Sequence, residues 1–464
     1  MHKTYSTSDT IAALSTPPGQ AGIGIVRVSG PRALEIARRL FHPRVPNRER
    51  EPASHRLVLG ELADPRTGAF VDEVLLSFMK APHSYTREDV VEINSHSGYA
   101  LLDKILALVL ESGARLALPG EFTYRAYANG RIDLTQAEAV MDVIRAASER
   151  GVELASRQAR GAMGGHVEAL RVKTLEVLAW IEASLDYPDE DVGAAPEEAG
   201  SLLAECIVLL EKMEEAYERR RFWVEGVRAV LVGRVNAGKS SILNRLLEED
   251  RAIVTPIPGT TRDVIEATVH IRGVPVCLMD TAGVRTPEGE VEEIGVRRTQ
   301  KCLEEADLAL FVVDGSRVLD AEDYQIRGKC QETNALAVIN KIDLPAGIDE
   351  SSLRDFLGNI PAVCVSALTG QGIDGLRKAV HAAVLADEGP GDSLDVLPNA
   401  RQARLVRDAL THYRQAAANL EQDAPLEIVA SDLEWGMDAL SGIIGEHAPE
   451  DVLEKVFERF CLGK

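Results

Sequence analysis

The stretch GRVNAGKS, residues 233–240, decides how its surroundings fold. It fits the spacing G-x-x-x-x-G-K-[ST] through Gly233, Gly238, Lys239 and Ser240. The apolar run RAVLVG precedes it, so the pattern predicts a strand, a tight glycine loop and the first turn of a helix. Glycines at these positions let successive backbone N–H groups face phosphate oxygens at the positive end of that helix. The Lys239 ammonium would neutralise β- and γ-phosphates, and the Ser240 hydroxyl would bind Mg²⁺. Asn236, Ala237 and Ser241 belong to the same phosphate-binding segment.

Working outward, three shorter motifs follow, each at the end of an apolar run. DTAG (Asp280, Thr281, Ala282, Gly283) places a carboxylate for the Mg²⁺ shell and a glycine N–H for the γ-phosphate. NKID (Asn340, Lys341, Asp343) follows LAVI. The Asp343 carboxylate can accept from both N1–H and N2–H₂ of guanine, a pair of donors that adenine lacks, so the expected base is guanine. SAL (Ser366, Ala367, Leu368) would supply backbone N–H to guanine O6. Four motifs in order, each at a strand end, point to GTP hydrolysis. Ras-like proteins carry Gln directly after D-T-A-G to orient the attacking water; here that residue is Val284, so another base and another positive charge are needed. Glu288, Glu290, Glu292 and Glu293 are nearby acids, and Thr261 in VTPIPGTTRD would reach Mg²⁺ and the γ-phosphate. A loop of backbone carbonyls beside Asn236 is a candidate cage for a monovalent cation.

With 464 residues, several cores are expected. A net charge of −22 argues against a sequence-blind nucleic-acid coat. No segment approaches the ~18–20 apolar residues of a membrane span. Six cysteines without CxxC or metal-ligand spacing suggest reduced thiols in the cytoplasm. Residues 1–121 mix short strands (GIGIVRVSG, RLVLGELAD, VVEIN, ARLAL) with helical ALLDKILALVLESG. Residues 122–219 turn helical, with Ala137, Val140, Met141 and Ile144 on one helical face, and Leu175, Leu178, Ile181 and Leu185 on another. Residues 220–385 alternate strands and helices, the rhythm of a mostly parallel sheet. Residues 386–464 are helical again after the linker DEGPGDSLDVLPN. The expected fold class is therefore multidomain α/β plus α: an N-terminal α/β domain and a helical domain split by an inserted Ras-like P-loop G domain.

The stretches TIAALSTPPGQAGIGIVRVSG, LPGEFTYRAYANGRIDLTQAEAV, NAGKSS, IPGTTRD, DTAGVR and the terminal CLGK resemble the tRNA modification GTPases called MnmE or TrmE, from end to end. Val235 stands where that family often has Pro, and Leu462 where it usually has Ile. The resemblance implies an N-terminal domain that binds 5-formyl- or 5,10-methylene-tetrahydrofolate and makes a homodimer. It implies folate contacts at Arg27, Glu92 and Arg131, with Lys464 from the tail. It implies K⁺ held by Asn236, Thr255, Ile257 and Thr260, Mg²⁺ held by Ser240 and Thr261, and Glu292 as general base. Arg262 and Arg285 match switch arginines. The implied partners are the flavoprotein MnmG, in a heterotetramer, and tRNA, whose wobble uridine receives an aminomethyl or carboxymethylaminomethyl group at C5. MnmG would bring FAD, with NADH and glycine or ammonium as further reactants.

Cys461 stands four residues from the carboxyl terminus. Gly463 and Lys464 do not suit a prenylation box. PEDVLEKVFERF reads as an amphipathic helix opened by Pro449, with Val452, Val456, Phe457 and Phe460 on one face. Docked by that face, the tail would bring Cys461 towards the folate, either as a catalytic thiol or as packing that positions Lys464. For tRNA, Arg145, Arg150, Arg157, Arg160 and Arg171 are candidates, against the alternative of an ordinary exposed helix face. Two other classes stay open: a regulatory RNA- or ribosome-assembly GTPase without one-carbon chemistry, and an aminomethyltransferase in which GTP only regulates.

Overall fold

The structure, a computed structural model, describes the chain except residues 1–4, 6, 18, 46–52, 147, 188–195, 221–222, 224–225, 250–264, 281–302, 304–305, 331–332, 385–395, 461–462 and 464. It divides into two compact units. One is built from Met1–Met141, Arg157–Leu210 and Arg404–Lys464, the other from Asp142–Ser156 and Glu211–Ala403.

The first unit holds a seven-stranded sheet. Its strands are β1 (Ile11–Leu14), β2 (Gly24–Ser29), β3 (Phe41–Pro43), β4 (Arg56–Ala63), β5 (Phe70–Met79), β6 (Val90–Ser95) and β7 (Arg115–Leu116). They run in the order β3-β4-β5-β6-β2-β1-β7, antiparallel except for the β1–β7 pair. Helices Ala33–Leu40 and Tyr99–Glu111 cover one face, packing Ile36, Leu40, Ile105 and Val109 on Val26, Val28, Val74, Leu76, Val91 and Ile93. Because side chains alternate across a strand, Arg27 and Glu92 are turned to the opposite face. The motif ARLAL yields only the two-residue strand Arg115–Leu116.

Helices Ala162–Asp186 and Leu426–Ile444 pack together in the same unit. The buried stripe of Ala162–Asp186 is Met163, Val167, Leu170, Thr174, Val177 and Ile181. It meets the expected face at Ile181, while Leu178 is half-buried and Leu175 and Leu185 are 51% and 41% exposed. The core runs through Thr174, whose hydroxyl is satisfied by Leu170 O and by the buried Tyr413 hydroxyl. A purely apolar count therefore misplaces the stripe. Ile144 likewise departs from the expected face, being 46% exposed. The terminal helix Glu450–Phe457 does dock as expected, with Phe457 among the rings of Tyr5, Tyr124, Tyr127 and Phe460.

The second unit carries a six-stranded sheet of β8 (Val227–Val232), β9 (Ile265–Ile271), β10 (Val274–Asp280), β11 (Leu308–Asp314), β12 (Ala335–Asn340) and β13 (Ala362–Cys364). Its order is β13-β12-β11-β8-β10-β9, parallel apart from the antiparallel edge strand β9. Cores lie on both faces, which is why β11 can be apolar without alternation. All the GTP motifs with described positions fall at the carboxyl ends of these strands, where ligands of open α/β sheets bind.

Candidate nucleotide site and N-terminal arginine site

Strand β8 delivers the phosphate loop and helix Lys239–Glu249 follows it. Gly238 has φ +99° and a Cβ there would stand 2.1 Å from Asn340 Nδ2, so both the turn and the close approach require glycine. The Lys239 ammonium is folded under the loop, donating to Gly233 O (2.7 Å) and Arg234 O (2.8 Å). Asn340, at the end of β12, joins two loops: its Nδ2 donates to Ala237 O (3.0 Å) and its Oδ1 accepts from Ala367 N–H (3.0 Å). Lys341 donates to Asn236 O (2.8 Å) and to the Asp314 carboxylate (2.6 Å). Burial would raise the Asp314 carboxyl, but the hydrogen bonds from Lys341 and Ser316 outweigh it and hold the group below its usual range. Asp343 Oδ1 accepts from the Ser366 hydroxyl at 2.6 Å.

These groups enclose a cavity of about 440 Å³ lined by Gly238, Ser241, Asn340, Lys341, Asp343 and Leu368, among others. That volume is ample for a purine and ribose. The structure thus brings together Asn236–Ser241, Asn340, Lys341, Asp343 and Ser366–Leu368. Asp280 closes β10, as expected. Thr255, Ile257, Thr260, Thr261, Arg262, Thr281, Ala282, Gly283, Val284, Arg285 and the four glutamates of EGEVEEIG, Glu292 included, lie outside the described residues. Of the groups that would hold K⁺ and Mg²⁺, Asn236 and Ser240 are described, both exposed at the loop. An amide oxygen and a hydroxyl are hard donors of the kind these ions take.

In the first unit Arg27 and Glu92 are register partners on β2 and β6. They pair with each other, Arg27 Nε and Nη2 donating to Glu92 Oε1 at 2.9 and 2.8 Å. Arg27 Nη1 donates to Gly463 O (3.2 Å), which also accepts from the Ser15 hydroxyl (3.2 Å). The Arg27 guanidinium lies 5.8 Å from the Tyr85 ring centroid and 5.7 Å from that of Phe122, and Arg131 covers Tyr85 at 4.9 Å. Arg27, Glu92 and Arg131 therefore converge, with Gly463 of the tail seated among them. Gly463 has φ +89°, and a Cβ would fall 1.9 Å from Leu14 O. Cys461 and Lys464 lie outside the described residues.

Sequence reasoning missed the rings of Tyr85 and Phe122, the Ser15 hydroxyl and the Gly463 carbonyl. It also missed the ion network that fixes Phe122. On helix Glu121–Ala128 the fully buried Arg125 donates to Asp9 O (2.7 Å), Asp9 Oδ1 (2.5 Å), Glu88 Oε2 (3.1 Å) and Glu121 Oε1 (3.2 Å). Arg115 joins Asp9 to Glu121, and its hydrogen bond together with those of Arg125 holds the Asp9 carboxyl below its usual range against the effect of burial. The signal was the charge content of EFTYR beside an apolar core, legible only once Asp9, Glu88 and Arg115 are known to converge.

Two of the candidate tRNA arginines are already matched by acids, Arg150 with Glu153 and Arg171 with Glu446, each at 2.7 Å. Among the described residues no helix is long and apolar enough to cross a membrane.

Residues 134–461 match the MnmE helical domain, and residues 10–131 match the N-terminus of the GTP-binding protein TrmE. The chain belongs to the MnmE family. Its relatives include the tRNA modification GTPase MnmE of Geobacillus kaustophilus, 43% identical over 460 residues, 98% of this chain and 99% of that one. The MnmE of Symbiobacterium thermophilum is 45% identical over 458 residues, again 98% and 99%. That of Syntrophobacter fumaroxidans is 44% identical over 466 residues, 99% of each. MnmE relatives are thus matched along the whole chain, the first unit as well as the G domain.

Proposed function

We propose that this chain hydrolyses GTP and couples the hydrolysis to modification of the tRNA wobble uridine. The observation that carries the reading is the joint presence of a guanine-type cavity, with Asp343 and Asn340 at its rim, and end-to-end similarity to tRNA modification GTPases. A generic switch GTPase accounts for the cavity but not for the matched N-terminal unit.

The division of labour follows the residue chemistry. Lys239 and the N–H groups of Asn236–Ser240 bind phosphate, Ser240 and Thr261 hold Mg²⁺, and Asp343 reads guanine. Asn236, Thr255, Ile257 and Thr260 hold K⁺, which supplies positive charge to the developing transition state in place of an arginine finger. Glu292 positions and deprotonates the attacking water, the role Val284 is chemically unable to fill. In the N-terminal domain (1–121), tetrahydrofolate brings a one-carbon unit. There Tyr85 offers it a ring face and Glu92 accepts from pterin N–H groups, while Arg131, just beyond that boundary, offers a cation and Lys464 approaches from the tail. Arg27 is engaged by Glu92 and Gly463, so its part is to hold the pocket's wall and the tail. Residues 122–219 and 386–464 make the helical domain around the inserted G domain (220–385).

A second copy of the chain would cover the open face of the N-terminal sheet. There Leu57, Leu59 and Leu75 are 62%, 41% and 40% exposed, and Leu59 and Leu75 face each other across β4 and β5. The flavoprotein MnmG is the catalytic partner in the cytoplasm. The deciding experiment is mass spectrometry of wobble uridines from cells lacking the gene, complemented with wild type, Glu292→Ala or Cys461→Ser. Wild type restores the modified nucleoside. Glu292→Ala binds GTP but neither hydrolyses it nor complements, and Cys461→Ser hydrolyses GTP but does not complement. Unchanged uridines in the deletion strain would remove the tRNA reading and leave the regulatory GTPase.

A further inference from the structure

Arg245 lies on helix Lys239–Glu249, between one and two turns beyond the phosphate loop, half-buried beside the buried Ile242 and Leu246. On its own it reads as a solvated helix charge. Its guanidinium instead lines the base cavity and grips the guanine loop: Nε–H donates to Ala367 O (3.0 Å) and Nη2–H to Leu368 O (2.6 Å). The loop's own N–H groups are mostly committed. Ser366 N–H donates to Gln371 O (2.8 Å), Ala367 N–H to Asn340 Oδ1 (3.0 Å) and Thr369 N–H to the Ser366 hydroxyl (3.1 Å). Among the described residues, Leu368 N–H has no protein acceptor. That N–H shares a peptide plane with Ala367 C=O, and in a trans peptide the two point in opposite directions. A grip on Ala367 O therefore fixes where Leu368 N–H aims, and the second bond, to Leu368 O, fixes the next plane.

We propose that Arg245 is a positioning residue for base recognition: it clamps the carbonyls of Ala367 and Leu368 so that the loop presents Leu368 N–H to guanine O6. Arg suits this because its two donors leave in a fixed planar fork that sets the orientation of both carbonyls, whereas the three donors of an ammonium swing about a flexible stem and impose no such plane. The proposal rests on the guanine reading given above.

The test compares GTP with the triphosphate of 2-aminopurine riboside, which keeps the N2 amino group and lacks both O6 and the hydrogen on N1, so that only the change in preference between wild type and variant reports on the O6 contact. Wild-type protein binds GTP more tightly. In Arg245→Met, GTP affinity falls about tenfold while that for the analogue changes by less than about threefold, so the preference shrinks. Arg245→Lys falls between the two. Both constants are measured on one preparation, so a partly unfolded variant leaves their ratio intact. If Arg245→Met weakens both nucleotides equally, or neither, the clamp does not aim the donor and the proposal fails. If wild-type protein itself shows no preference for GTP over the analogue, the guanine reading fails with it.

Discussion

Replacing Asp343 by Asn should convert a guanine site into a xanthine site, and the structure says which way the new amide points. Ser366 Oγ accepts from Thr369 N–H at 3.1 Å, which leaves its own hydrogen to donate to position 343, where the oxygen lies 2.6 Å away. The Asn oxygen will therefore take the serine side and its Nδ2 will face the base. A donor then meets the N2–H₂ of guanine, another donor. Each hydrogen bond to the lost carboxylate is worth about 1.5–3 kcal/mol, so the pair is worth roughly 3–6 kcal/mol, about 10²- to 10⁴-fold in GTP affinity. Xanthine carries an oxygen at C2 that accepts from Nδ2, so XTP binding rises as GTP binding falls. The assay is calorimetric or fluorescent titration of wild type and Asp343→Asn with GTP and XTP. A variant that still prefers GTP would refute both the role of Asp343 and the Ser366 argument for the amide's orientation.

Hydrolysis should be fast in K⁺ and slow in Na⁺ at equal ionic strength, and Asn236→Ala should flatten that difference by about tenfold without a matching loss of GTP affinity; equal wild-type rates in the two salts would take the cation out of the reaction. Gly463→Ala places a methyl 1.9 Å from Leu14 O and must release the tail from Arg27 and Ser15, so tRNA modification in cells drops while GTP hydrolysis by the purified protein stays within about twofold. Normal modification by this variant would show that the seated tail is not needed. Asp9 is held below its usual value of 3.8, so its contribution to stability is fully present above that pH and is lost as the pH falls through the lower folded-state value. The melting-temperature gap between wild type and Asp9→Asn should accordingly be constant from pH 7 to 5 and narrow at pH 3; a gap that widens on acidification contradicts the network drawn around Arg125.

What was legible in the sequence was local. Gly238 and Lys239 follow β8 and Asn340 and Asp343 lie at and just beyond the end of β12, each pair within a few residues of chain, so spacing alone places them at strand ends. Pairings set by the sheet were not legible. Arg27 and Glu92 are 65 residues apart and meet only because β2 and β6 adopt one register. Strand β5 was invisible because Asp72 and Glu73 interrupt its apolar alternation, yet Asp72 is buried and accepts from His96 N–H at 2.9 Å. Thr174 hid the true core stripe of its helix by being polar at a position where a tyrosine hydroxyl satisfies it. Arg245 carries no such local signal, because nothing in its own helix reveals the loop that comes to rest against it.

The bond between Arg27 and Gly463 spans 436 residues of sequence. At ribosomal speeds of about 5–20 residues per second, Arg27 has to wait on the order of 20–90 s for its partner carbonyl to be made. Through that interval the N-terminal sheet can form, but the guanidinium beside Tyr85 lacks the carbonyl, and the aromatic bed of Tyr124 and Tyr127 lacks the cover of Phe457. The pocket around Arg27 is thus among the last parts of the molecule to be completed during synthesis, although most of its side chains are among the first to be translated. The phosphate loop and the guanine loop are consequently both translated before Gly463 can be seated, so the order of birth puts the nucleotide motifs ahead of the completed Arg27 pocket.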